Sequence, residues 1–127
     1  MATLTTKLTL TSSSTSDTLN LSVSDTLTVT DPLQGLSKVA IEGSGGSDTT
    51  LVASSASNKY VYLRHTGFKD DGTATTAEVV VDFGTTDSIR LSTGEFAFFP
   101  AKASTAITAV SNHTSTILVE YAYWTAA

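Results

Sequence analysis

Through the first thirty residues the aliphatic side chains keep to alternate positions. Leu4, Leu8 and Leu10 form one such series and Leu19, Leu21, Val23, Leu27 and Val29 another, with Ser and Thr filling most of the places between. A period of two is the signature of a β-strand, whose successive side chains point to opposite faces. Apolar residues on one face and hydroxyls on the other mark strands that are half-exposed or lie at a sheet edge. Ser12 to Asp17 reads as the turn between them, giving a hairpin or meander. Asp17-Thr18-Leu19-Asn20-Leu21 is echoed by Asp25-Thr26-Leu27-Thr28-Val29. Two copies fall short of a repeat architecture, which needs at least three stacked units.

Asp31-Pro32 interrupts this run, because proline cannot donate to a ladder and restricts the residue before it. Leu36 to Glu42 reads as a short strand, followed by a loop over residues 43–48 and an extended Thr49–Val52. Lys59 to Thr66 is a strand, Phe68 to Thr73 a turn, and Ala77 to Phe83 a valine-rich strand that resumes at Ser88–Leu91. Thr105 to Val110 and Thr116 to Trp124 follow, the last predicted to be the longest strand. Strands recurring at this spacing, with turn signals between them and no helical period, predict an all-β fold. The expected form is a single antiparallel β-sandwich, jelly-roll or Ig-like, with no significant helix. Residues 1–30 are expected to form an N-terminal strand region, within the same domain or as an arm, and residues 31–127 the sandwich core. The one-sided Leu/Thr pattern of that region also allows it to add a strand to another subunit.

The densest aromatic stretch is Gly94-Glu95-Phe96-Ala97-Phe98-Phe99-Pro100, which holds three of the five phenylalanines. Large aromatics dominate small cores, so this segment reads as a central strand, with Gly94 in the entering turn and Pro100 ending the ladder. Phe96 and Phe98 share one face and are assigned to the core; Phe99 is out of phase and is assigned to an interface. The other core candidates are Val61, Leu63, Val79, Val81, Val119 and Tyr121. Tyr60, Tyr62, Tyr123 and Trp124 join Phe99 as interface candidates, since Tyr, Trp and Phe are enriched where subunits meet.

Charge and composition narrow the function classes. Ser and Thr make up roughly a third of the chain, far above average usage, while charged residues are only 15%. The formal net charge is −5 and the seven Lys and Arg are scattered singly, which excludes the clustered basic surface that phosphate neutralisation requires. No apolar run is long enough to span a membrane as a helix. The N-terminus lacks the basic-then-apolar order of a signal peptide. With no cysteine, disulfides, thiolate catalysis and Cys-ligated zinc are all absent.

Motifs for chemistry are weak. Gly43-Ser44-Gly45-Gly46-Ser47-Asp48 lacks the following helix and lysine of a phosphate cradle, so it reads as a surface loop. Asn20-Leu21-Ser22 and Asn112-His113-Thr114 match the glycosylation pattern only by chance. His65 and His113 have no nucleophile-elbow context. Asp70-Asp71-Gly72, with Asp82 or Asp87, does not have the spacing of a calcium loop. Glu78, Glu95 and Glu120 sit among strand residues. No catalytic, cofactor-binding or metal-binding residue is assigned, no cofactor is expected, and the chain reads as a non-enzyme.

Four segments together resemble the small β-sandwich virion proteins of tailed phages, especially marine ones, including head decoration and tail-associated proteins. They are the opening Met-Ala-Thr-Leu-Thr, the Lys59-Tyr60-Val61-Tyr62-Leu63-Arg64 strand, the Gly94-Glu95 turn into Phe96–Pro100, and Val119-Glu120-Tyr121. The resemblance implies a structural protein of the virion, made in the host cytoplasm and present in many copies. Its expected partners are itself, as a homo-oligomer such as a trimer, and other coat or tail proteins, with neither nucleic acid nor membrane. A carbohydrate-binding module is the alternative from another class, with Tyr60, Tyr62, Tyr123 and Trp124 as a stacking platform.

Overall fold

The computed structural model describes residues 1–13, 18–43 and 45–127, and of residues 31–34 the backbone alone. Among the described residues nine strands run in order: β1 (Ala2–Thr11), β2 (Asn20–Ile41), β3 (Thr49–Val52), β4 (Lys59–Lys69), β5 (Val79–Phe83), β6 (Thr86–Leu91), β7 (Phe96–Ala101), β8 (Ile107–Ser111) and β9 (Ile117–Ala126). No helix occurs among the described residues. One sheet has the order β1-β2-β9-β4-β7 and the other β3-β8-β5-β6.

The pairing is nested. β2 pairs with β9, β3 with β8, β4 with β7 and β5 with β6, all antiparallel. A long antiparallel ribbon rolled across two layers produces this order, and β4–β9 and β5–β8 ladders join the turns of the roll. This is the jelly roll and not the immunoglobulin arrangement. The predicted sandwich is present, and of the two forms considered it takes the jelly roll.

The core lies between the sheets. Val61, Leu63 and His65 of β4 face Val79 and Val81 of β5, with Ile117 and Val119 of β9 beside them, and all seven are fully buried. Burying each such aliphatic side chain contributes about 1.5–3 kcal/mol, and among the described residues β4, β5 and β9 together carry half of the buried hydrophobic ones. The expected core residues Val61, Leu63, Val79, Val81 and Val119 are all in place, and Tyr121 packs half-buried against them.

The aromatic stretch departs from expectation. β7 is an edge strand, paired only with β4, and the register sets Phe99 opposite Val61 and Ala97 opposite Leu63. Because Val61 and Leu63 point inward, so do Phe99 and Ala97. Phe99 packs against Phe83 with ring centroids 5.0 Å apart. Phe96 and Phe98 point outward and are 62% and 39% exposed. They are not core residues, and Phe99 is not an interface residue: the phase is inverted. Pro100 does not end the ladder either, since it pairs with Tyr60 and Ala101 continues to Lys59. An edge position tolerates its missing N–H.

Two turn positions shape this region. Gly94 has φ of +81° and its N–H donates to the His65 carbonyl, while Glu95 N–H donates to the Ser92 carbonyl, closing the turn into β7. Gly67 has φ of +85°, and a Cβ there would lie 2.9 Å from Thr93 Cγ2. It sits where the β4–β9 register slips between His65 and Lys69, as a β-bulge.

β2, at 22 residues, is the longest strand; β9 has 10. Asp31-Pro32 bends β2 without ending it. The register against β9 shifts between Val29 and Pro32, again before Gln34, and again before Ser37. Above that irregular stretch the strand leaves the roll and pairs with β1, from Ala2↔Val29 to Thr11↔Asn20. The expected hairpin is present; its predicted turn falls mostly on residues 14–17, outside the described residues, and Ser12 N–H donates to the Leu19 carbonyl across its mouth.

Candidate interaction surface

The outer face of the five-stranded sheet is built by the residues that alternate with the core. On β4 these are Tyr60, Tyr62 and Arg64; on β7, Phe96, Phe98 and Pro100; on β9, Leu118, Glu120, Ala122 and Trp124. Cross-strand pairing arranges them in rows. Trp124, Tyr60 and Pro100 form one, Ala122, Tyr62 and Phe98 the next, and Lys38, Glu120, Arg64 and Phe96 the third. An aromatic field thus grades into a charged row with alternating sign.

Tyr60 and Phe98 are diagonal neighbours whose rings stack at 6.4 Å with 11° between planes. Such pairs add about 0.5–1.5 kcal/mol beyond area burial. The Tyr62 hydroxyl donates to Glu120 Oε1 at 2.9 Å. Burial, and then that carboxylate, raise the Tyr62 phenol above its ordinary value, which keeps it a donor. Tyr60, Tyr62 and Trp124 are half-buried on this face, where the sequence placed an interface. Tyr123 is not: it faces inward opposite Val61 and packs against the core. Pleat parity already put Tyr123 with Ile117 and Val119, and that parity outweighs residue type.

The hairpin supplies a second apolar surface. Leu4 opposes Leu27, Leu8 opposes Val23 and Leu10 opposes Leu21, so one face is a ladder of aliphatic rungs, broken once by Thr6 opposite Asp25. Leu8, Leu10, Leu19, Leu21 and Val23 are between 38% and 53% exposed. A cleft of about 710 Å³ lies between this face, at Leu8 and Val23, and the β6–β7 side of the roll, at Ile89 and Phe96–Phe99.

Several titratable side chains are held by neighbouring groups. His65 is fully buried; its Nε2 lies 2.8 Å from the Ala77 carbonyl and its Nδ1 accepts the Gly67 N–H at 2.9 Å. A carbonyl accepts only from N–H and an N–H donates only to a lone pair, so the ring is the neutral Nε2–H tautomer with both nitrogens used. His113 lies in an exposed turn, near the Ser115 and Thr114 hydroxyls. Glu78, which with His113 and Asn112 lines a separate open cleft, is held by Asn112 Nδ2, the Ser92 hydroxyl and Arg90 Nε. Lys59 Nζ hydrogen-bonds Ser55 Oγ, a pair that sequence spacing gave no reason to single out, and the same hydroxyl reaches the Ser57 carbonyl.

The carboxylates do not gather. Among the described residues no three His, Cys, Asp or Glu side chains are placed to hold a metal ion. Asp71 accepts from the Thr73 N–H and hydroxyl, which lower it below the ordinary carboxyl value. Asp82 is buried on the outer side of β5; burial first, then neighbouring Asp87 and Asp48, raise it. Its Oδ1 and the cross-strand Thr108 Oγ1 are buried and bond no other protein group.

Among the described residues no helix is long and apolar enough to cross a membrane. No protein-family model matches the chain, and no curated protein resembles it closely enough to count as a relative.

Proposed function

We propose that this protein is a non-enzymatic structural subunit of a virion, of the capsid-decoration kind, which self-associates and binds the coat shell. A tail- or fibre-associated position is the nearer variant of the same reading. The observation that carries it is the pair of uncovered apolar surfaces, the aromatic sheet face and the leucine hairpin. Contiguous exposed apolar patches on a soluble domain mark protein–protein contact. The jelly roll is shared by capsid and lectin domains, so the fold is compatible with this reading without deciding it.

The reading predicts that the chain, co-expressed with the products of its neighbouring genes, sediments with assembled shells or tails in many copies per particle. Particles that assemble normally and exclude it would overturn the assignment. One observation favours the carbohydrate module: Tyr60, its ring nearly parallel to that of Phe98, lies beside Trp124 on the aromatic face, and sugar-stacking platforms are built from such side chains. Glycan-array binding abolished by Trp124→Ala would decide for that reading.

A further inference from the structure

The hairpin of β1 and the first half of β2 is apolar in the wrong place for a finished monomer. β1 packs substantially only against β2. The leucine face looks across the cleft at Ile89, Phe96 and Phe98 without closing on them. Beyond the cleft, Leu10, Leu19 and Leu21 at the tip are left to solvent.

The exposed area measures what is unfinished. A compact monomer of 13.2 kDa exposes about 6,400 Å² by the size scaling of folded chains. This one exposes 7412 Å². The surplus, about 1,000 Å², is close to the roughly 800 Å² that each partner buries in a specific interface. The exposed leucines lie on the hairpin, and the chain itself offers an apolar cleft of matching character. The charges lining that cleft, Lys7 and Asp25, are of opposite sign, so they do not repel an uncharged rung of leucines. The stem is built to bend, with three register irregularities between Val29 and Ser37.

We propose that the hairpin is an exchange arm: the tip leucines Leu10, Leu19 and Leu21 of a second copy fill the cleft between Leu8 and Val23 on one wall and Ile89, Phe96 and Phe98 on the other. This rests on the self-association in the reading above and names the surface that does it. Reciprocal exchange closes a pair, and head-to-tail exchange closes a ring.

The chain has no cysteine, so introduced thiols report contacts cleanly. Leu21→Cys (arm) and Ile89→Cys (cleft) are made as separate chains, mixed and oxidised, alongside sedimentation velocity of the unmodified protein. The expected result is an associating wild type and a cross-linked dimer that needs both variants. A Leu10→Ser/Leu21→Ser chain should sediment as a monomer with the melting midpoint of the dilute, dissociated wild type. Three results would each overturn the arm. They are a monomeric wild type, a cross-link formed within the Leu21→Cys/Ile89→Cys double variant but not between chains, and Leu21→Cys linking to itself alone. If association survives the arm variants and is lost on Trp124→Ala, the arm falls while self-association through the aromatic face stands.

Discussion

The hairpin and the rolled body are written in the same alphabet and end differently. Both alternate aliphatic and polar residues, and in both the alternation produces strands with one apolar face. In β4 the alternate positions Val61, Leu63 and His65 meet β5 across the sandwich and lose all contact with solvent. In β1 and the start of β2 the rungs beyond the half-buried Leu4–Leu27 pair face only a cleft and solvent. The difference is topological. The nested pairs of the roll give every inner face a partner, and β1 lies outside that nesting. Period-two alternation therefore reports a strand and its apolar face but not what covers that face.

The largest effect should come from the body. Leu63→Ala removes a fully buried side chain and is expected to cost about 2–5 kcal/mol, read as a drop in denaturant midpoint with unchanged slope. Phe99→Ala, at the half-buried junction with Phe83, should cost about 3 kcal/mol, the lower end for a core phenylalanine. A Phe99→Ala chain as stable as wild type would break the division drawn between the inner and outer faces of β7.

His65 tests a polar element of the same interior. His65→Leu preserves bulk but orphans the Ala77 carbonyl and the Gly67 N–H, at about 1–3 kcal/mol for each buried group left unpaired. His65→Gln, which offers one donor and one acceptor, should recover part of that loss. Equal stability of the two variants would show that the bonds to the bulge contribute little.

How far the sequence carried can be judged from these same residues. Strand content, the valine-rich β5, the alternation of β4 and the Gly94 turn were legible because each depends on neighbours in the chain. The phase of β7 was not. Phe96, Phe98 and Phe99 are all large and apolar, so composition could not choose between the two faces. The choice is made by the β4 register, a contact more than thirty residues away in sequence. The same non-local step hid the edge position of β7 and the length of β2 across Asp31-Pro32, whereas the inward placement of Tyr123 was readable from its pleat parity with Ile117 and Val119. The aromatic face was half-legible: Tyr60, Tyr62 and Trp124 were recognised by type, while Phe96 and Phe98 join them only once the register is known.

A smaller effect is expected at Asp82, where the roll carries an unpaired carboxyl oxygen. Its raised proton affinity means that the folded state favours the protonated form. That contribution is fully present below the ordinary carboxyl value and is lost as pH rises through the raised one. Asp82→Asn should therefore melt higher than wild type near pH 7, with the gain shrinking as pH falls toward about 4. A gain that is the same at both pH values would assign the effect to packing instead of charge.

The smallest expected effect is also the sharpest test of the comparison. Leu21 and Phe96 are large and apolar, yet both are exposed in the single chain. Leu21→Ala and Phe96→Ala should each change the stability of the dilute, monomeric protein by no more than about 0.5 kcal/mol, as for surface sites. The same two substitutions should weaken association at high concentration, because there the lost contacts lie between copies. Thermal melts across a dilution series separate the two terms. The variants should coincide with wild type when dilute and fall below it as concentration rises, since association stabilises only the folded form. A penalty of core size at every concentration would mean that the hairpin is closed against its own body, and the contrast with β4 would disappear.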